Sequence, residues 1–353
     1  MHRNTEPWVL VLAAGSGTRL SELTRADDGT VVPKQFCSLR GGRSLLLDTI
    51  DRALRLAPRE RVVVVVAAEH ERWWGPQLTC LDADNIVVQP GNRGTTAGLL
   101  LPLARILERD PGAVIAVLPS DHHVDEPAVL TQAMQRALVA VRQDPQHLVL
   151  LGIAPDAPDT GYGWIVPGSC TAAGMSSVSA FVEKPPLARA NALLQAGALW
   201  NSFLFAASGA TLWRLCARFA RPTATAIGAA SLRPAGEREI ALDAVYRGLP
   251  TIDFSRTVLG ACASLLRVLM VPECGWTDLG TPSRAAHCIA RIEERCPQLP
   301  ARAAWFDTVD LATALAGREQ RERTGVAVAP GRATAGTLSS AVAGRRELVG
   351  RSA

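Results

Sequence analysis

The residues best suited to chemistry lie at the ends of apolar runs. "LAAGSGTRL", Leu12 to Leu20, closes the first run with Gly15 and Gly17, then Thr18 and Arg19. A dinucleotide fold wants G-x-G-x-x-G, but the third position is Leu20. The G-x-x-x-x-G-K-[ST] pattern of a Walker loop is not met either. What remains is a glycine turn whose N–H groups can cradle phosphate oxygens, with Arg19 as a two-pronged phosphate donor. The same residues equally suit a tight turn with a surface arginine. "VVPKQF" then places Lys34 beyond a turn-rich stretch, "ADDGT", that reads as mobile. Two cations flanking such a loop suit a triphosphate, each offsetting charge that builds on a leaving pyrophosphate.

Carboxylates stand at two further run ends. Asp121, in "PSDHH", follows the apolar stretch 113–118 and so falls at the carboxyl edge of a sheet, where open α/β folds bind ligands. It also suits a cap for a helix starting near Glu126. Asp278, in "GWTDLG", follows another apolar run. Glu183 and Lys184 close a strand in "FVEKP", where Pro185 stops the ladder. Asn201, in "WNSFLF", offers both donors and an acceptor, as hydroxyl recognition requires. Gly161 and Gly163 allow close backbone approach to a ligand, or simply a turn. "QPGNRGTT" lies between a strand and a helix, and its Thr95 and Thr96 also suit a helix cap. His122 and His123 are adjacent and point apart on most backbones, so neither is assigned a metal or a proton.

In this order, "LAAGSGTRL", "PKQF", "QPGNRGTTAG", "VLPSDHHV", "GYGWI", "FVEKP", "WNSFLF" and "GWTDLGTP" resemble the sugar-1-phosphate nucleotidyltransferases, and in particular the mannose-1-phosphate guanylyltransferases. The resemblance runs from about Trp8 to about Ala286. It implies transfer of a nucleotidyl group from GTP to α-D-mannose 1-phosphate, giving GDP-mannose and pyrophosphate by in-line attack. It implies catalytic roles for Arg19, Lys34, Asp121 and Asp278, with Mg²⁺ on the two aspartates. It places the nucleotide on Ala13, Ala14, Gly15, Ser16, Gly17, Thr18, Gln89, Asn92, Arg93, Thr95 and Asp121. It places the sugar phosphate on Gly161, Glu183, Lys184 and Asn201. The same chemistry with another base or sugar stays open, as does a non-catalytic sugar-nucleotide-binding protein on the same fold. The chain departs from the commoner pattern at Glu22, an acid beside the triphosphate loop, and at Gly94, where the family has asparagine. Ala97 and Gly98 replace its usual proline-alanine.

The elements that must position these groups are legible in part. "PWVLVLA", "RVVVVVAA", "NIVVQ" and "AVIAVLP" read as strands, separated by helical stretches at Ser44–Ala57, Glu69–Leu78 and Thr96–Glu108. The uninterrupted valine run fits a strand buried on both faces. This order predicts an α/β fold, a doubly wound and mostly parallel sheet with helices on both faces. After Leu151 "GYGWIVPG" and "SSVSAFVEKP" read as a small antiparallel portion. Helices are expected at Leu187–Ala196 and from about Ser208, and a last strand in "SLLRVLMVPE". Residues 1–292 are expected to form one domain, with a nucleotide half to about 150 and a sugar-phosphate half over 151–292. Residues 293–353 read as a weakly structured or small appended tail.

Composition narrows the partners. The 353 residues carry a net charge of +4 and no basic block, which argues against nucleic acid. No apolar stretch reaches the roughly 18–20 residues of a membrane span. The eight cysteines form no C-x-x-C pair and no zinc spacing with histidine, so they read as free thiols of a cytoplasmic protein. The expected partners are an NTP and a hexose-1-phosphate, with a homodimer compatible but not readable.

Overall fold

The computed structural model describes residues 6–26, 28–171, 174–295 and 309–324. Among the described residues nine strands form one sheet. They are β1 (Trp8–Ala13), β2 (Val62–Ala67), β3 (Ile86–Gln89), β4 (Val114–Pro119), β5 (Leu148–Ile153), β6 (Gly163–Cys170), β7 (Ser176–Glu183), β8 (Leu199–Ser208) and β9 (Leu266–Met270). Their order is β3-β2-β1-β4-β8-β5-β9-β7-β6, and β6 also pairs with β8.

The first four strands are parallel, with Val9 opposite Val62 and Trp8 opposite Ile115. Successive residues of a strand point to opposite faces. Val9, Val11, Val62, Val64 and Val66 therefore pack on one face, while Trp8, Leu10, Val63 and Val65 pack on the other. The first face is covered by helices Leu45–Leu54, Pro127–Gln143, Pro282–Arg295 and Leu311–Thr324. The second is covered by helices Gly94–Arg109, Gly209–Phe219, Arg221–Ser231 and Ala235–Gly248. The valine run is thus buried on both sides, as its composition required. Ser44 caps the first helix, its side chain accepting from Leu47 N.

Beyond β4 the sheet is mixed. β8 enters next to β4 and runs antiparallel to it and to β5. The antiparallel portion is therefore continuous with the parallel half rather than a separate small sheet. Its direction has a functional result. The parallel strands bring their C-terminal ends to the ligand edge, whereas β8 brings its beginning: Asn201 lies opposite Gly152, near the end of β5. A register shift between Leu150 and Gly152 bulges β8 here, and the Ser202 hydroxyl fills the gap by donating to Leu151 O.

Of the expected tail, residues 309–324 are described and form a bridge at Asp310 and a helix over Leu311–Thr324. That segment is docked, with Leu311 and Leu315 buried in the core. Residues 296–308 and 325–353 lie outside the described residues. No helix among the described residues is long and apolar enough to cross a membrane.

Candidate active site

The glycine turn and Lys34 are built around each other. Gly17 has φ +61°, and a Cβ there would come within 2.9 Å of Lys34 N, so the position requires glycine. The Gln35 side chain donates to Ala13 O at 3.0 Å and Gly15 O at 2.8 Å, tying the end of β1 to the same segment. Leu20, Leu23, Thr24 and Val32 are buried between these anchors. Arg25 pairs with Val31, and Val32 N donates to Thr24 O at 2.7 Å. The flanks of "ADDGT", Thr24 to Ala26 and Thr30 to Val32, are therefore paired as a hairpin with an apolar root.

Lys34 is buried, and its ammonium lies 2.9 Å from Asp121 Oδ2. It also donates to the backbone carbonyl of Asp278. One cation thus joins the carboxyl end of β4 to the loop after β9. Burial pushes the Asp121 carboxyl up, but the charges of Lys34 and His122 and the Lys34 hydrogen bond outweigh it and leave the pKa at about 2. Asp278 is also pulled below its ordinary value, because Arg284, His122 and Lys34 overcome the opposing effect of burial. Both groups are carboxylates at neutral pH. The first helix after Asp121 begins at Pro127 with Glu126 at its N-cap, so Asp121 is not its cap.

Asp278 is held by donors on one oxygen only. Its Oδ1 accepts from Arg284 Nη1 at 2.7 Å, Tyr162 Oη at 2.8 Å and Gly280 N at 2.9 Å. Its Oδ2 has Arg19 Nη2 at 3.8 Å, and the Arg19 side chain is 59% exposed. Asp121 Oδ1 has only His122 Nε2 at 3.6 Å. Each carboxylate thus keeps one oxygen beyond hydrogen-bond range of its neighbour, Arg19 for Asp278 and His122 for Asp121. That donor set fits a hard divalent cation, which takes a few protein carboxylate oxygens and completes its shell with phosphate and water. Among the described residues no cluster of three or more His, Cys, Asp or Glu is placed to hold a metal.

The two histidines diverge, as their adjacency predicts. His122 accepts from Trp276 Nε1 at 3.3 Å, and burial pushes its pKa down to about 4, so the ring is neutral. His123 pairs with Asp125 at 2.9 Å, and its backbone bridges to Thr277.

A cavity of about 340 Å³ opens beside the glycine turn, lined by Leu12, Ala14, Gly15, Gln89, Asn92 and Thr95, with Thr251 and Asp253 across from them. Leu12 and Ala14 alternate with Ala13, whose side chain is in the core, so Ala13 offers the site only its backbone. Asn92 Nδ2 lies 3.4 Å from Ser16 Oγ. The structure does not bring Arg93 into this group. Its guanidinium donates to Tyr246 O at 2.5 Å and Arg247 O at 3.1 Å, at the end of helix Ala235–Gly248. Nor do the threonines cap. The helix starts at Gly94, Thr95 Oγ1 accepts from Phe254 N at 2.7 Å, and it is Asn92 Oδ1 that accepts from Gly94 N at 3.0 Å. Gly94 has φ +79° and sits against the Ile252 backbone, which leaves no room for the Cβ of an asparagine.

On the other side, Gly163 stands opposite Glu183 in the ladder, with Asn201 next to both. A Cβ on Gly163 would lie 3.3 Å from Asn201 Cβ and 3.0 Å from the Phe181 ring. Lys184 Nζ is 3.3 Å from Glu183 Oε1, and its side chain is 47% exposed. Burial raises the Glu183 pKa, with Lys184 opposing. Lys184, Phe203 and Leu279 all have positive φ, at 47°, 58° and 48°. Lys184 and Leu279 directly follow Glu183 and Asp278, and Phe203 lies two residues beyond Asn201. For residues with a Cβ this is strain of about 1 kcal/mol or more each, and such strain clusters at functional sites.

Gly161 N donates to Asp159 Oδ1 at 2.7 Å, and Arg284 bridges Asp159 to Asp278 while lying 4.0 Å from the centre of the Tyr162 ring. Tyr162, Asp159 and Arg284 were not among the residues singled out from sequence. Arg284 is six residues beyond Asp278 at the start of a helix, a position that carries no local signal of which way it points.

Residues 8–294 match the family described as nucleotidyl transferase. The chain is 37% identical over 204 residues to xanthan biosynthesis protein XanB of Xanthomonas campestris pv. campestris, covering 56% of this chain and 42% of that protein. It is 34% identical over 202 residues to a mannose-1-phosphate guanylyltransferase of Escherichia coli, covering 56% of this chain and 41% of that one. The chain thus spans less than half the length of these curated relatives. Among solved structures, one named mannose-1-phosphate geranyltransferase, from Thermus thermophilus, superposes with a TM-score of 0.68 at 25% identity, over 91% of this chain and all of that one. With the family match extending over most of its length, the chain belongs to the nucleotidyl transferase family.

Proposed function

We propose that this protein transfers a nucleotidyl group from GTP to α-D-mannose 1-phosphate, giving GDP-mannose and pyrophosphate. The observation that carries the reading is the Lys34 junction. It joins the Asp121 carboxylate at the end of β4 to the backbone of Asp278 in the loop after β9, and both aspartates are ionised. The names of the relatives support the choice of base and sugar.

In the reaction an oxygen of the sugar phosphate bonds to the α-phosphorus, and the bond from that phosphorus to the bridging oxygen of the pyrophosphate breaks. The nucleophile is already an anion, so no general base is needed. This agrees with a neutral, buried His122. Catalysis is then positioning and charge stabilisation. The glycine turn and Arg19 receive the β- and γ-phosphates. Lys34 fixes both aspartates, and Lys184 takes the sugar phosphate while Glu183 and Asn201 receive hydroxyls. Asp121 and Asp278 would hold Mg²⁺, which when bound supplies charge neutralisation on the phosphate oxygens.

The test is a panel of NTPs against sugar-1-phosphates with Mg²⁺ and pyrophosphatase. Phosphate release with GTP and mannose 1-phosphate is expected. Release with a different pair would replace the substrates while keeping the chemistry. Tight binding of an NDP-sugar without turnover would make the chain a binding protein.

A further inference from the structure

Residues 309–324 lie outside the stretch that matches the family, yet they are joined to the segment that carries Lys34. Cys37 N closes the turn on Lys34 O, and Ser38, the next residue, is only 1% exposed. One edge of this segment pairs with Ser44, the cap of helix Leu45–Leu54. The other edge is filled by the later segment. Ser38 N donates to Val309 O at 3.0 Å, Leu311 N donates to Ser38 O at 3.0 Å, and Ala312 N donates to Leu39 O at 3.2 Å. Without those partners Ser38 would carry unpaired buried backbone groups directly after the Lys34 turn, and native structures avoid that.

Asp310 joins the two pieces through both oxygens. Oδ1 accepts from Thr313 N at 2.8 Å and so caps helix Leu311–Thr324, while Oδ2 accepts from Ser38 Oγ at 3.2 Å. Leu311 and Leu315, one helical turn apart, anchor the helix in the core. Farther along, Arg318 Nη1 lies 3.5 Å from Glu22 Oε2. The segment therefore meets the glycine-turn loop near both ends, three residues beyond Arg19 and four beyond Lys34. Glu22, the acid beside the triphosphate loop, has a cation facing it.

We propose that residues 309–324 are a strap that positions the loop carrying Arg19 and Lys34 for a triphosphate, with Asp310 as its positioning residue. The strap rests on the reading of that loop as the triphosphate site. Coupling of this kind is reciprocal, so the nucleotide must in turn stabilise the strap.

Full-length Asp310→Ala and Asp310→Asn are compared with wild type. Asp310→Ala is expected to raise KM for GTP about tenfold, with KM for the sugar phosphate changed less than about twofold. Asp310→Asn keeps one acceptor oxygen and is expected to fall between the two. In wild type, GTP with Mg²⁺ is expected to slow hydrogen exchange at the amides of Leu311–Gln320, a readout that needs no variant. Equal changes in both KM values, no change in either, or no GTP-dependent protection would each overturn the strap. If wild type binds no nucleoside triphosphate at all, the proposed function falls and the strap with it. If wild type binds and Asp310→Ala behaves as wild type, the strap alone falls.

Discussion

Lys34 and Lys184 are both cations of the site, but the two halves hold them in opposite ways. Lys34 is buried, and its three-donor head is shared between the Asp121 carboxylate and the Asp278 carbonyl. Lys184 sits on strained backbone at the end of β7, half exposed, with Glu183 as its ion-pair partner. The half built on the parallel strands has made its cation part of the core, where it joins the Asp121 carboxylate to the backbone of Asp278. The half beyond β5 has left its cation half exposed, with the cost taken in backbone strain. A charge needed for architecture and a charge needed for ligand contact are thus distinguishable by burial and backbone conformation, though both are lysines in short motifs.

The largest effect should come from Lys34→Met. It removes the charge that holds the Asp121 carboxyl down at about 2 and leaves that carboxylate without its ion-pair partner. Breaking a buried pair from one side costs about 3 kcal/mol. Turnover should fall about a thousandfold, the scale of losing one well-placed electrostatic contact. Calorimetry and steady-state kinetics on the same preparation check both. A variant of unchanged stability would show that Lys34 is not architectural, and the contrast would collapse.

Lys184→Ala should do the reverse. Its head is exposed, so stability should change by less than about 0.5 kcal/mol. KM for the sugar phosphate should rise about thirtyfold, the loss of one charge-assisted phosphate contact, and KM for the NTP should stay within about twofold. Similar effects on both substrates would move the sugar phosphate elsewhere.

The same contrast explains what sequence could and could not reveal. β1, β2 and β4 carry apolar residues on both faces, and that pattern is local, so the parallel half was readable together with the groups at its strand ends. β8 was not read as a strand, although "WNSFLF" was marked as a motif. Its place between β4 and β5 depends on partners 47 to 94 residues away, and its bulge interrupts any simple alternation. Tyr162 and Arg284 act on Asp278 from distant or uninformative positions, so only the fold reveals them. The strap left one faint signal, Leu311 and Leu315 at helical spacing in an alanine-rich stretch. Arg93 shows the opposite failure: a cation in the right motif whose charge is spent on the carbonyls of Tyr246 and Arg247.

The smallest expected effect tests how firmly the shared aspartate is held. Tyr162→Phe removes one of three donors to Asp278 Oδ1 and leaves Arg284 and Gly280 N in place. The phenyl ring can keep the packing on Trp200 and Trp276, whose ring centres lie 4.5 and 5.6 Å away. Loss of one hydrogen bond of this kind costs about 1 kcal/mol. Its sign with pH is also fixed. The Asp278 pKa lies below 3.8 in the folded protein, so its stabilisation is fully present above that value and is lost as pH falls through the folded pKa. The tyrosine hydroxyl favours the charged form, so the variant's pKa must rise. The acid limb of activity should therefore move to higher pH in Tyr162→Phe, with turnover near neutral pH reduced no more than about fivefold. A pH profile that superposes on wild type would mean that Arg284 and Gly280 N alone set the state of Asp278. The anchoring of the second carboxylate would then belong to the loop after β9 and the helix that follows it, and not to the segment that leads into β6.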